Sequence, residues 1–321
     1  MMNEEMQTFC TIVTADHFAK AAVLCHSIQK FDNKAQLYVL IADEKKIERQ
    51  REIAGLKPVS IQSLSDYPLV NELYKKYAHI NFDNFRWSLK PVFASYLLRS
   101  GIGKIIYLDC DMFFVNDFNF LFNDLDKYDI LLTPHWNNTN PSLNKNGFLS
   151  NFTSGMFSAG FFGANKNGLP ALDWWANACH FMMGEHIKIG VHDDQRYLDI
   201  FPVLFENTKI VRHRGCNIGS WNYEESKRTM VNGEVRINGE FPIIFIHFDQ
   251  MLVTTILKGH DPSLKTFLDQ YHHTFESLGY HLSDFISVER YVNAGMLQKI
   301  KWKLMLRTRL KRFFYKLAES L

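Results

Sequence analysis

The stretch KIIYLDCDMFFV, residues 104–115, constrains the fold more than any other part of this 321-residue chain. It is apolar on both faces up to Leu108, and a strand buried on both faces belongs in the middle of a parallel sheet covered by helices. Its neighbours in sequence fit that placement. FCTIVTAD (9–16) is a short β-branched run, and in HFAKAAVLCHSIQKF after it Phe18, Ala22, Cys25 and Ile28 recur at helical spacing. AQLYVLIAD (35–43) predicts a second strand, EKKIERQREIAGL an exposed helix closed by Gly55, and SLKPVFASYLLRSG a helix stopped by Gly101. Strand and helix in alternation predict an α/β fold with a mostly parallel sheet flanked by helices.

Beyond the run, residues 133–152 are rich in Asn, Pro, Gly and Ser and predict a long binding loop or lid. MFSAGFFGAN predicts a strand, GLPALDWWANACHFMM a helix with Pro170 near its start, VHDDQRYLDIFPVLF another helical stretch, and PIIFIHF a strand. The simplest division is one α/β domain over 1–260, a helical C-terminal addition over 261–295 and a tail over 296–321. With 46% hydrophobic residues the chain has the material for one large core. Five scattered cysteines without a CxxC pair suggest neither a disulfide framework nor a thiolate zinc site, and a reducing cytosol fits them. The acidic N-terminus MMNEEMQTFC lacks the layout of a signal peptide, so the protein is expected to stay inside the cell, where the Asn-x-Thr triplets at Asn137 and Asn151 are chance matches.

The chemistry concentrates where the apolar run ends. Ligands of open α/β sheets bind outside the carboxyl ends of the strands, and Asp109 and Asp111 stand there. Strand alternation puts both carboxylates on one side, with Cys110 opposite. Two carboxylates so close repel unless a cation lies between them, and a hard divalent ion, Mn²⁺ or Mg²⁺, is the natural partner. By spacing alone an ordinary acidic turn after a strand explains the pair equally well.

Further segments tip that balance. TIVTADHFAKAAVLCHSI, WSLKPVFASYLLRSGIGKIIYLDCDMFFVND, FSAGFFGANKNG, HDDQRYLD, GCNIGSWNY and IIFIHFDQM, in this order over residues 8 to 255, resemble the nucleotide-sugar glycosyltransferases of the GT-A fold, and among them the family-8-like group of bacterial glycan synthesis. The resemblance implies a GT-A, Rossmann-like sheet and a role for each matching residue. Asp109 and Asp111 become the DxD pair that binds Mn²⁺ or Mg²⁺ at the donor diphosphate, and His247 the third metal ligand, an imidazole that suits Mn²⁺ better than Mg²⁺. Thr14, Ala15 and Asp16 would hold the nucleobase, usually uracil. Lys90 would reach the donor phosphates, and Ser158, Ala159 and Gly160 would contact the donor sugar. Ser158 stands where related sequences often have Asn, so donor identity stays open. Asp194 and Gln195 would sit beside the anomeric carbon, with Asp193 able to take the place of Asp194. Trp221, Asn217 and Asn222 would line an acceptor or sugar pocket. After IHFDQ the chain departs from the family ending, and Lys258 or the Gly259 backbone is the available substitute at the diphosphate.

The C-terminal segment carries a separate signal. From Met296 onward there are eight basic residues and one acid, whereas residues 1–295 hold 28 basic against 33 acidic side chains. Trp302, Leu306, Leu310, Phe313 and Leu317 fall on one helical face, the pattern of an interfacial membrane anchor, or of a helix docked on protein. The mildly acidic body argues against nucleic acid as a partner. These readings add up to a metal-dependent glycosyltransferase, cytoplasmic and peripheral at the inner face of the membrane. It would transfer a hexose or HexNAc from a UDP donor to a hydroxyl of a growing surface glycan, free or lipid-linked, with retention. A sugar-phosphate nucleotidyltransferase is the enzymatic rival, disfavoured because TADHFAKAA has no glycine-rich loop; a non-catalytic glycan- or partner-binding protein of the same fold is the other.

Overall fold

The computed structural model describes residues 6–43, 45, 47, 53–186 and 189–286. In chain order the elements are β1 (Thr8–Val13), α1 (Phe18–Gln29), β2 (Gln36–Ile41), β3 (Leu56–Ser60), α2 (Pro68–Leu73), α3 (Phe82–Arg99), β4 (Lys104–Leu108), β5 (Met112–Phe114), α4 (Asn119–Leu125) and β6 (Ile130–Pro134). They continue with α5 (Lys145–Thr153), β7 (Phe157–Asn165), α6 (Leu169–Phe181), β8 (Glu185–His186), β9 (Val191–His192), α7 (Phe201–Leu204) and β10 (Thr208–Ile210). The last are β11 (Arg228–Val231), β12 (Glu234–Ile237), β13 (Phe241–Pro242), β14 (Phe245–His247), α8 (Gln250–Leu257) and α9 (Lys265–Ser277).

Seven strands form the main sheet in the order β10-β6-β7-β4-β1-β2-β3. All neighbours are parallel except β7, which runs antiparallel to both β4 and β6. This is the mixed, mostly parallel sheet expected from the alternation of elements. One face packs on α2, α3 and α6 through a core that includes Phe93, Leu97, Phe162 and Trp175. The other packs on α1 and α4, where Phe9 meets Phe118 and Phe122 edge to face at 5.0 and 5.1 Å. Helices α8 and α9 share a third core with Ala19 and Val23 of α1 and with Phe113 of β5. The C-terminal addition is therefore joined to the main body by packing through Leu264, Leu268, Tyr271 and Phe275.

Four expectations change. The run 104–115 is two strands: β4 ends at Leu108, Asp109 makes one more rung by donating its N–H to the Gly160 carbonyl at 2.8 Å, and the Met112 N–H closes a turn on the Asp109 carbonyl at 3.1 Å. After that turn β5 leaves the main sheet and pairs antiparallel with β14, Met112 opposite His247. Simple alternation thus stops at residue 108, and it is the turn that aims the two carboxylates. The stretch 133–152 contains a helix, α5, capped by the Asn144 side chain, which accepts from the Gly147 N–H at 2.9 Å. The stretch 191–205 holds β9, a 3₁₀ turn over Arg196–Ile200 and the four-residue α7 with Pro202 in its first turn. PIIFIHF likewise divides between β13 and β14. Most of the helix expected at 44–55 and the whole tail 296–321 lie outside the described residues.

Candidate active site

The turn after β4, the middle of β7 and the end of β14 meet at Gly160. A Cβ built there would come within 2.9 Å of Asp109 Oδ2 and 3.0 Å of both His247 Cε1 and Met112 Cε, so glycine at this point leaves room for the carboxylate and the imidazole to approach the strand. Beside it opens a cavity of about 420 Å³ at the carboxyl end of β4, where Asp109 lines it. Of the residues singled out from sequence, Lys90, Asp109, Ser158, Ala159, Gly160, Asp193, Asp194, Gln195, Trp221 and His247 line this cavity.

Lys90 is the electrostatic centre. Its ammonium is buried, 3.3 Å from Asp109 Oδ1 and 3.0 Å from Asp194 Oδ2, and donates to the Ala159 carbonyl at 3.2 Å. Burial alone would favour neutral lysine, but the Asp109 and Asp194 carboxylates outweigh it and raise the Lys90 pKa. Burial pushes the Asp194 carboxyl up from its ordinary value, against the pull of Lys90. Tyr107 donates to Asp109 Oδ1 at 3.0 Å, and the Trp175 indole donates to the Asp194 carbonyl at 2.7 Å, fixing the turn that carries this acid. Asp193 next to it sits at a left-handed φ of 46° and is raised by burial.

Asp111 lies behind the cavity wall. Its Oδ1 is 3.0 Å from His247 Nε2, and its Oδ2 3.8 Å from Lys20 Nζ on α1. Against the effect of burial, Asp111 raises His247 to about 9, and His247 and Lys20 hold Asp111 far below the usual carboxylate range. The pair is a charged one, with His247 Nδ1 buried and lacking a hydrogen-bond partner. Two carboxylates and an imidazole are a donor set of the kind that suits Mn²⁺ or Mg²⁺, and Asp111 Oδ1 and His247 Nε2, 3.0 Å apart, are two ligand atoms already facing each other. An ion held there would take the place of the proton shared between Asp111 and His247. Among the described residues, the three-ligand group whose donor atoms all lie within 4.8 Å of one another is a different one, Glu185, His192 and Asp193.

The remaining sequence candidates are placed as follows. Thr14, Ala15 and Asp16 lie outside the cavity lining: Thr14 Oγ1 contacts His17 Nδ1 at 3.0 Å, the Ala15 N–H donates to Asp43 at 2.9 Å, and exposed Asp16 pairs with Lys45 at 2.7 Å. Asn217 and Asn222 are fully buried outside the lining; the Asn222 amide holds its own loop, donating to the Asn217 carbonyl at 2.9 Å and accepting from the Gly219 N–H at 3.2 Å. The Gln195 amide is also engaged, donating to the Ser154 carbonyl at 2.8 Å and accepting from the Ala159 N–H at 3.3 Å. Ser158 Oγ accepts from the Gly160 N–H at 3.2 Å. Sequence reasoning did not single out Trp87, His135, His192 or Met251, which also line the cavity. It missed Lys20 as well, whose position one helical turn beyond Asp16 was the available signal. His135 is buried, bonds through Nδ1 to the Gly155 carbonyl at 3.0 Å and is lowered to about 4 by burial.

No family model matches this chain. It is 26% identical over 257 residues to the uncharacterized protein YfnF of Bacillus subtilis (strain 168), covering 77% of this chain and 82% of that one. It is 28% identical over 256 residues to the uncharacterized protein YfnD of the same organism, covering 77% and 78%. Among solved structures, a galactosyltransferase LgtC in complex with donor and acceptor sugar analogues superposes with a TM-score of 0.50 at 15% identity, over 75% of this chain and 87% of that one. Mouse xyloside xylosyltransferase 1 in its apo form gives 0.50 at 14% identity, over 77% and 98%. The five cysteines are free thiols, and among the described residues no helix is long and apolar enough to cross a membrane. The architecture is that of the GT-A glycosyltransferase fold.

Proposed function

We propose that this protein is a metal-dependent glycosyltransferase. It would move a hexose or HexNAc from a UDP donor to a hydroxyl of a growing surface glycan, with retention of configuration. The observation that carries the reading is the meeting of Asp109, His247, Lys90 and Asp194 around one cavity at Gly160, at the carboxyl end of β4. On the same fold, LgtC was crystallised with donor and acceptor sugar analogues, which favours a donor and a glycan acceptor here too.

Asp109, Asp111 and His247 would hold the ion, Mn²⁺ in preference to Mg²⁺, which when bound offsets the charge that builds on a departing diphosphate. The chain's own residues then divide the remaining work. Lys90 ties Asp109 to Asp194, so the carboxylate on the diphosphate side and the one facing the sugar keep a fixed separation. Asp194, dry and paired with Lys90 at 3.0 Å, is suited to stabilise positive charge developing at the anomeric carbon. Asp193, raised by burial, is the neighbouring carboxyl able to take up a proton from an acceptor hydroxyl. Gln195 holds β7 to the turn after α5 and so keeps the cavity wall in place. Trp221 presents an aromatic face to a sugar ring.

The test is a panel of nucleotide-sugars assayed for hydrolysis and transfer with Mn²⁺, then with EDTA. A UDP-sugar turned over only with metal, and lost in Asp111→Asn at a retained fold, is the expected result. No turnover of any donor, or turnover indifferent to EDTA, would overturn the reading. Membrane contact through 296–321 rests on the sequence pattern alone; deletion of those residues should release the protein from anionic liposomes, and unchanged co-sedimentation would refute it.

A further inference from the structure

Trp221 walls the cavity, yet its own hydrogen bonding does not hold it there: the indole Nε1 is buried and lacks a partner. Its ring lies over Gly219, where a Cβ would come within 2.4 Å of the indole, and stands edge-on to His247 and His135 with centroids 5.4 and 5.9 Å away. The loop beneath is tied by a cation from another element. Arg228, at the start of β11, donates to the Gly219 carbonyl at 2.9 Å, the Ser226 carbonyl at 2.5 Å and, at the limit of reach, the Asn222 carbonyl at 3.5 Å. Its Nε is 3.1 Å from Asp261 Oδ2, and both side chains are only 2% exposed.

An ion pair buried this completely is an uncommon choice for stability, since well-packed apolar residues of similar size usually serve as well or better. A planar guanidinium does something they do not, binding several carbonyls in one fixed plane. We propose that Arg228 and Asp261 are positioning residues for the sugar-binding wall. Asp261, at the head of the segment leading into α9, orients Arg228. Arg228 fixes the Gly219 carbonyl, and Gly219 sets the plane of the Trp221 ring against His247. The C-terminal addition is thereby part of the site that receives the donor's sugar ring. The functional half of this inference rests on the nucleotide-sugar reading; the positional half does not.

The experiment separates the two. The full chain is labelled with 5-fluorotryptophan, and the Trp221 line in its ¹⁹F spectrum is assigned by its loss in Trp221→Phe. In Arg228→Met/Asp261→Leu, where both charges leave together, the Trp221 line should shift and broaden while the lines of half-buried Trp174 and core Trp175 stay in place. Arg228→Lys, which keeps the charge but not the fork, should displace the same line if the double variant fails to fold. An unmoved Trp221 line, or all lines moving together, would overturn the proposal. With a UDP-sugar that the wild type turns over, kcat/KM should fall about 10²-fold, the scale of a misplaced reactant; unchanged kcat/KM beside a displaced Trp221 line would remove the functional half. A wild type inactive on every donor would end the glycosyltransferase reading and leave the spectroscopic result standing.

Discussion

Replacing Lys90 by methionine probes the electrostatic frame of the site. The ammonium is buried and neutralises two carboxylates at 3.3 and 3.0 Å. At an effective dielectric of roughly 20, Coulomb's law gives about 5 kcal/mol for each contact, most of it cancelled by the desolvation of the charges. Removing one partner leaves the cost of the stranded carboxylates, for which buried pairs set a scale of about 3–5 kcal/mol. Lys90→Met should therefore lose about that much stability in urea unfolding at pH 7. The loss should depend on pH with a definite sign. Asp194 is already raised above its unfolded value, and without Lys90 it rises further. A raised folded pKa contributes stability below the unfolded value near 3.9 and loses it as pH rises through the folded value, so the deficit should shrink as pH falls from 7 toward 4. Adding Asp194→Asn should recover most of the deficit. A loss under about 1 kcal/mol that does not vary with pH would show that Lys90 does not hold these carboxylates, and the reasoning would fail.

Three further outcomes can be checked. Gly160→Ala brings a methyl against Asp109 and His247, so it should abolish Mn²⁺ binding by calorimetry while lowering stability by about 1–3 kcal/mol, the range for overpacking; unchanged metal affinity would contradict the assignment. His135 is lowered to about 4, so its contribution is present above the unfolded value near 6.5 and lost as pH falls from there toward 4; the wild type should lose about 3 kcal/mol across that window relative to His135→Gln, and parallel stability curves would refute it. Trp175→Phe leaves the buried Asp194 carbonyl without its donor and should cost about 1–3 kcal/mol, with an effect under about 0.5 kcal/mol excluding that bond as the anchor of the turn.

Elements buried on regular patterns were legible from the amino-acid sequence. The strands β1, β2, β4 and β7 and the helices α1, α3 and α6 lie where apolar periodicity placed them. The break at Asp109 was not legible, because KIIYLDCDMFFV is equally apolar on both sides of the turn and hydrophobicity does not record a change of sheet. Helix α5 has no buried residue, hence no amphipathic stripe to read, and only its Asn144 cap marked it. The helical reading of 191–205 holds over Arg196–Leu204, but as a 3₁₀ turn followed by the four-residue α7, since Pro202 has no N–H to carry an α-helix through from the preceding turn; Val191–His192 is a strand. At the site, the resemblance named residues that the fold gathers from β4, α3, β7, β9 and β14. It could not reveal that Asn222 and Gln195 spend their amides on backbone groups, since that depends on loops packed from distant parts of the chain. Arg228 and Asp261 were invisible for the same reason: 33 residues apart and set in no motif, they meet only in the fold.

The most direct test of the metal and diphosphate site is a crystal of the protein soaked with UDP and Mn²⁺, measured at the manganese absorption edge. The account predicts an anomalous peak within coordinating distance of Asp109, Asp111 and His247, beside the Gly160 strand, with the diphosphate on its open side. A peak at Glu185, His192 and Asp193 instead, or UDP bound with no manganese beside Gly160, would contradict it.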